Sequence, residues 1–252
     1  MQERVLDIAG LPTTVIGDGA TAALVVVLLH GFAMEPTDLS PFAHSLGVPG
    51  LFLFPRAPLT ASMQPGVPQG RTWWPTDPVA RARALAAGAR DFFADHPTGL
   101  LEARATLTRF LDAAAAVIEP QARERPLIVG GFSQGGMLAC DMFLRAPRAV
   151  AGLALLSSSR IAFDDWRPLL ERRPDALRAL PVFVSHGRAD GDLAFAAGEG
   201  LRDCLASAGA AVTWVPFDGG HEVPLVVWRR LRNFMLSVGA GAVNGGETKR
   251  IQ

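Results

Sequence analysis

Ser133 stands in Gly131-Phe132-Ser133-Gln134-Gly135, a serine with glycine two residues away on either side. That spacing suits a nucleophile. A serine raised on a sharp strand-to-helix turn needs very small neighbours at those positions, because a Cβ there would strike the adjoining strand or helix. A serine hydroxyl is a weak nucleophile at neutral pH, so it also needs a base to take its proton and a carboxylate to orient that base. His221, in the flexible stretch Asp218-Gly219-Gly220-His221-Glu222, is the best placed base among the five histidines. Asp190 lies between serine and histidine in chain order, the order expected of one hydrolase arrangement on an α/β sheet. Acyl transfer needs amide donors aimed at a developing oxyanion as well. The backbone N–H of Gln134 follows the serine, and the N–H of Phe32 follows the strand end at His30-Gly31.

Each of these has rivals. His30 and His186 both end apolar runs and precede a glycine, which reads as a structural imidazole near the site, and His44 and His96 fall in helix or loop context. Asp192 competes with Asp190, and Asp164 or Asp165 more distantly. With 26 glycines in 252 residues, the pentapeptide alone is not specific. Its context carries more weight: Pro126-Leu127-Ile128-Val129-Gly130 reads as a buried strand before it. After it, Met137, Leu138, Asp141, Met142 and Arg145 recur at helical spacing until Pro147.

The same kind of apolar run recurs along the chain. Residues 4 to 16 suggest an opening strand pair broken at Gly10-Leu11-Pro12. Leu24 to Leu29, Leu51 to Phe54, Leu127 to Gly130, Gly152 to Leu156, Val182 to Ser185 and Ala211 to Val215 follow as further strands. Helical patterns lie between several of them, best seen at Leu107, Phe110, Leu111, Ala114, Val117 and Ile118. The alternation predicts an α/β fold, a mostly parallel central sheet with helices on both faces and ligands at the carboxyl ends of its strands. Residues 59–100, broken by Pro65, Pro68, Pro75, Pro78 and Pro97, form an excursion from this rhythm, either a surface insertion packed on the core or a flap over the active site. Residues 1–238 read as one domain and the glycine-rich, polar 239–252 as a disordered tail.

Composition narrows the function. Lys+Arg and Asp+Glu balance at 24 each, so no global field favours nucleic acid or an anionic membrane. Nothing resembles a signal peptide, and the longest apolar run, Ala22 to Leu29, is too short to span a bilayer, so a cytoplasmic location is expected. Cys140 and Cys204 are 64 residues apart and read as buried thiols rather than a redox or metal motif. No metal and no cofactor are expected.

Taken together, Leu28-Leu29-His30-Gly31-Phe32, Gly130 to Gly136, Ser185-His186-Gly187 to Asp190, and Gly219-Gly220-His221-Glu222-Val223 resemble the phospholipase/carboxylesterase family of α/β-hydrolases. That group includes acyl-protein thioesterases and small bacterial carboxylesterases, and the likeness covers roughly residues 24–236. It implies an α/β-hydrolase fold and a metal-independent serine esterase that forms and then hydrolyses an acyl-enzyme. A thioesterase or a lysophospholipase with the same residues is the nearest alternative, and a non-catalytic ligand-binding protein of the same fold is one of another class. A dienelactone-type hydrolase or a dehalogenase would usually place cysteine or aspartate where Ser133 stands. The expected substrate is a small-molecule acyl ester, and a homodimer is suggested by the resemblance alone. Arg71-Thr72-Trp73-Trp74 resembles the family's aromatic segment, making Phe32, Met63, Trp73, Trp74 and Met137 the apolar candidates for the substrate pocket. The chain departs from the family at Ala33 to Asp38 and at Gly191-Asp192-Leu193, where a proline and small apolar residues are usual.

Overall fold

Leu24 to Leu29 offers no polar position, and it forms strand β3 (Leu24–Leu29), buried at every residue. Side chains alternate along a strand. Val25, Val27 and Leu29 therefore enter one hydrophobic core and Leu24, Val26 and Leu28 a second. Such a strand must lie inside a sheet covered on both faces. That is its place in the computed structural model, which describes residues 2–145, 149–172 and 174–247.

Among the described residues the sheet has eight strands: β1 (Glu3–Ile8), β2 (Leu11–Ile16), β3, β4 (Gly50–Pro55), β7 (Leu127–Phe132), β8 (Gly152–Leu156), β9 (Pro181–Gly187) and β10 (Ala211–Phe217). They lie in the order β1-β2-β4-β3-β7-β8-β9-β10. Only the β1–β2 hairpin and the β2–β4 pairing are antiparallel; from β4 to β10 the strands run the same way. The carboxyl ends of β3, β7, β9 and β10 consequently open on one edge.

The helices are α1 (Pro41–Ser45), α2 (Pro78–Ala86), α3 (Leu100–Val117), α4 (Pro120–Arg123), α5 (Gln134–Arg145), α6 (Phe163–Arg172), α7 (Pro174–Leu177), α8 (Phe195–Ser207) and α9 (Leu225–Glu247). On one face α3, α5, α6 and α8 bring Leu107, Phe110, Leu138, Trp166 and Leu201 to the sheet. On the other, α1 and α9 bring Ala43, Trp228, Leu231 and Phe234. In α3 the buried positions are Leu100, Ala103, Leu107, Phe110, Leu111 and Ala114, the stripe of an amphipathic helix. Val117, part of the expected pattern, faces solvent at the helix end.

One expectation needs correction. The tail expected to be disordered from residue 239 is helical as far as Glu247, and residues 248–252 lie outside the described residues. Burial accounts for its first part: Val238 and Gly239 still pack on the sheet, where a Cβ on Gly239 would come 3.3 Å from Leu24, whereas Ala240 and Gly241 are exposed.

Residues 59–100 do leave the main sheet. They form a hairpin of β5 (Leu59–Gln64) and β6 (Val67–Thr72), then α2, then an irregular stretch to Gly99. The start of α2 is set by Asp77, whose carboxylate accepts from Val79 N at 2.8 Å and Ala80 N at 3.3 Å, with Pro78 at the first helical position. Backbone bonds fasten this segment at two places. Ala33 N donates to Arg71 O at 2.9 Å; Arg90 N donates to Asp192 O at 2.9 Å, and Ala194 N to Arg90 O at 2.8 Å. The insertion is thus fixed to the loops that follow β3 and β9. Among the described residues, no helix is long and apolar enough to cross a membrane.

Candidate active site

Ser133 follows β7 directly and precedes α5, with a φ of 52°, a conformation that non-glycine residues seldom adopt. Its neighbours hold it there. Ser133 N donates to Leu156 O at 2.8 Å on β8, and Ser133 O accepts from Met137 N at 3.0 Å in α5. A Cβ on Gly131 would fall 2.5 Å from Leu29 O and 2.7 Å from the Gly135 carbonyl carbon, and one on Gly135 would fall 2.6 Å from His30 O. The turn passes this close to β3 only with glycine at both positions.

His221 reaches the serine from the loop after β10, its Nε2 2.9 Å from Ser133 Oγ. On the other side its Nδ1 lies 2.7 Å from Asp190 Oδ2. The remaining oxygen, Asp190 Oδ1, accepts from the backbone N–H of Asp192 at 2.9 Å and of Leu193 at 2.8 Å. Burial alone would push this carboxyl's pKa up. The bond to His221, its charge, and the two amide donors outweigh burial and hold it below the ordinary value. The three sequence candidates thus form one hydrogen-bonded chain.

The rival histidines sit elsewhere or do other work. Ala57 N donates to His30 Nε2 at 3.1 Å, which assigns the hydrogen to Nδ1, shared with Gly31 O at 2.8 Å. His186 Nε2 faces Leu193 O at 3.0 Å, so there the hydrogen is on Nε2, also 3.4 Å from Asp190 Oδ2. Both rings are buried, and burial lowers both pKa values. His30 and His186 are therefore neutral struts for the loops after β3 and β9. His44 pairs with Glu3 at 2.9 Å and His96 lies 4.0 Å from Asp165, neither of them at the pocket. Cys140 is buried in α5 and Cys204 half-buried in α8; burial pushes both thiols up, Cys204 to about 12.

Beside Ser133 opens a cavity of about 300 Å³. Phe32, Met63, Trp74 and Met137 line it. Trp73 does not. Trp73 packs into the core, 1% exposed, its Nε1 donating to His30 O at 2.9 Å. The N–H groups of Phe32 and Gln134 have no protein acceptor among the described residues, and Gly31 permits the approach, since a Cβ there would come 3.0 Å from the Phe132 ring. The Gln134 side chain is buried, its Oε1 accepting from Trp73 N at 3.0 Å and lying 3.0 Å from Thr72 Oγ.

A sequence profile described as Phospholipase/Carboxylesterase matches residues 12–238. The chain belongs to this family. Acyl-protein thioesterase 1 of Neurospora crassa is 30% identical over 110 residues, 43% of this chain and 44% of that protein. A probable carboxylesterase of Oryza sativa subsp. japonica is 32% identical over 102 residues, 38% of this chain and 36% of that protein. The chain thus spans less than half the length of these curated relatives. The crystal structure of Zea mays acyl-protein thioesterase 2 superposes with a TM-score of 0.70 at 19% identity, covering 90% of this chain and 98% of that one, which shows the α/β-hydrolase fold.

Within this family frame, the pocket holds residues that sequence reasoning missed. Met34, Gln69, Thr76, Arg81, Arg90, Phe92 and Leu193 also line it, as does Asp192, weighed above only as a rival acid. Asp192 instead accepts from the guanidinium groups of both Arg81 and Arg90. No motif announces this. The signal available was Arg81 and Arg90, two of four arginines in the insertion, and the departure from the family at Gly191-Asp192-Leu193.

Proposed function

We propose that the protein is a serine carboxylic-ester hydrolase acting through an acyl-enzyme on small to medium acyl esters. The observation that supports it most is the unbroken chain Ser133 Oγ, His221 Nε2, His221 Nδ1, Asp190 Oδ2, with separations of 2.9 and 2.7 Å at the wall of the pocket. In this reading Ser133 Oγ attacks the ester carbonyl while His221 Nε2 takes its proton. Asp190 holds the imidazole with Nδ1–H towards itself and stabilises the imidazolium that forms. The amides of Phe32 and Gln134 receive the charge that develops on the carbonyl oxygen, each worth roughly 3 kcal/mol in the transition state. His221 then protonates the departing alcohol, and a water activated by the same ring releases the acid.

A cavity of about 300 Å³ is at the small end of the range for ligand pockets, about 300–1,000 Å³, which favours a short acyl group. The relatives named acyl-protein thioesterase favour a second reading within the same chemistry, a thioester substrate, and the phospholipase of the family description favours a lysophospholipid. Oligomeric state and compartment belong to the proposal too: family likeness suggests a homodimer, to be read by sedimentation, and a cytoplasmic location, to be read by fractionation.

The test is hydrolysis of p-nitrophenyl butyrate by the wild type and by Ser133→Ala, with labelling by a fluorophosphonate. The wild type is expected to turn over and to label. Ser133→Ala should lose about 10³-fold or more in kcat while unfolding at the same urea concentration. Retained turnover in the variant would overturn the assignment.

A further inference from the structure

Beside its apolar side chains the pocket wall also carries charge. Arg81 on α2 and Arg90 in the following stretch both donate to the single carboxylate of Asp192, and all three line the cavity. Their side chains are 13%, 18% and 18% exposed, so water screens them little. Among the side chains that line the cavity, with His221 neutral as base catalysis requires, two guanidinium groups against one carboxylate leave an excess of one positive charge; the Asp190 carboxylate lies outside the lining, behind His221. The rest of the lining is largely apolar, including Phe32, Trp74 and Phe92, a surrounding that strengthens the field of that charge.

The guanidinium groups are also held in place. Arg81 stacks over the Phe32 ring at 5.3 Å and Arg90 over the Phe92 ring at 4.7 Å, which fixes the planes of their donors. Arg90 Nε is buried and has no acceptor among the described residues. Fastening the insertion to the loop after β9 already uses the backbone bonds between Arg90, Asp192 and Ala194. A second arginine on the same carboxylate adds donors beyond what that fastening needs. Arginine's planar fork matches a carboxylate with two parallel bonds, and the excess positive charge of the lining favours an anion.

We infer that Arg81 and Arg90, bridged by Asp192, bind a carboxylate group of the substrate, so that the pocket selects esters carrying a carboxylate away from the scissile bond. The inference rests on the esterase reading and deepens it.

The experiment compares two matched pairs. Mono-(p-nitrophenyl) glutarate against p-nitrophenyl pentanoate places the carboxylate on the acyl side; 4-acetoxybenzoate against its methyl ester places it on the alcohol side. In at least one pair the anionic ester should be preferred by about 10- to 100-fold in kcat/KM, the value of a charge-assisted bond. That ratio should fall in 0.5 M NaCl, a readout that needs no variant. It should also fall by about tenfold or more in Arg90→Gln and in Arg81→Gln, made separately in case one fails to fold. Neutral esters hydrolysed as fast as or faster than their anionic partners in both pairs would overturn the carboxylate subsite and leave the esterase standing. A ratio unchanged in a folded variant, with both rates falling together, would overturn it too. Loss of all four activities with Ser133 unreactive towards the fluorophosphonate would instead remove the esterase reading on which the inference stands.

Discussion

Asp190 and Asp192 are two residues apart and chemically identical, yet their carboxylates meet opposite needs. Asp190 is nearly buried and accepts from an imidazole and two amides, whereas Asp192 is spent on two arginines. Chain order pointed to this loop but could not separate the two aspartates, because which one faces His221 is decided by the backbone turn between them. In Asp190→Asn the amide oxygen stays on the Asp192 and Leu193 N–H groups and the NH2 donor faces His221 Nδ1, leaving the wrong tautomer at the serine. The expected loss in kcat is about 10³- to 10⁴-fold. Asp192→Asn leaves the Asp190–His221 bond in place, so its kcat deficit should be smaller by about 10²-fold or more. Equal deficits in steady-state assays of the two variants would contradict the geometry. The serine was legible for a plainer reason: the glycines that its turn demands are written beside it.

At the scale of elements, every strand of the main sheet was visible, since runs such as Leu24 to Leu29 leave a buried strand as their simplest fate. The insertion was visible only as an anomaly. Its conformation depends on partners far away in sequence: Arg71 and Arg90 pair with the loops after β3 and β9, and Trp73 N donates to Gln134 Oε1 across 61 positions. No local pattern encodes such bonds, and for the same reason Trp74, which reaches the cavity, and Trp73, which does not, were indistinguishable. Gln134 therefore has two duties, its amide facing the expected oxyanion and its side chain holding the insertion. Gln134→Ala keeps the first and removes the second. A buried N–H left without an acceptor costs about 1–3 kcal/mol, so urea unfolding should shift by that amount. Limited proteolysis should cut within residues 59–100 faster than in the wild type, through local opening of the segment. An unchanged cutting rate would show that the backbone bonds alone fix the insertion.

For the whole molecule, one fact of topology assembles the site: parallel β3, β7, β9 and β10 end on the same edge, so loops separated by up to 191 positions, from His30 to His221, converge there. The convergence is braced by two buried neutral histidines, and that bracing makes stability depend on pH. Burial lowers the pKa of His30 and His186 from 6.5, the value each regains on unfolding. As pH falls below about 6.5 the unfolded chain binds protons that the folded one refuses, so folded stability is fully present above that pH and is lost below it. Asp190, held below its ordinary 3.8, acts in the same direction in a separate window, its contribution being lost only as pH drops through that lower range. Between pH 6 and 5 the histidines dominate, with a slope of up to about 1.4 kcal/mol per pH unit each. His186→Gln keeps an N–H for Leu193 O but cannot bind a proton. Urea unfolding of the wild type at pH 7.5, 6.0 and 5.0 should show stability falling across the last interval, and the variant should fall about half as steeply. A wild-type curve flat from pH 7.5 to 5.0 would mean that the two rings accept protons in place, and that the loops after β3 and β9 are not braced by neutral imidazoles.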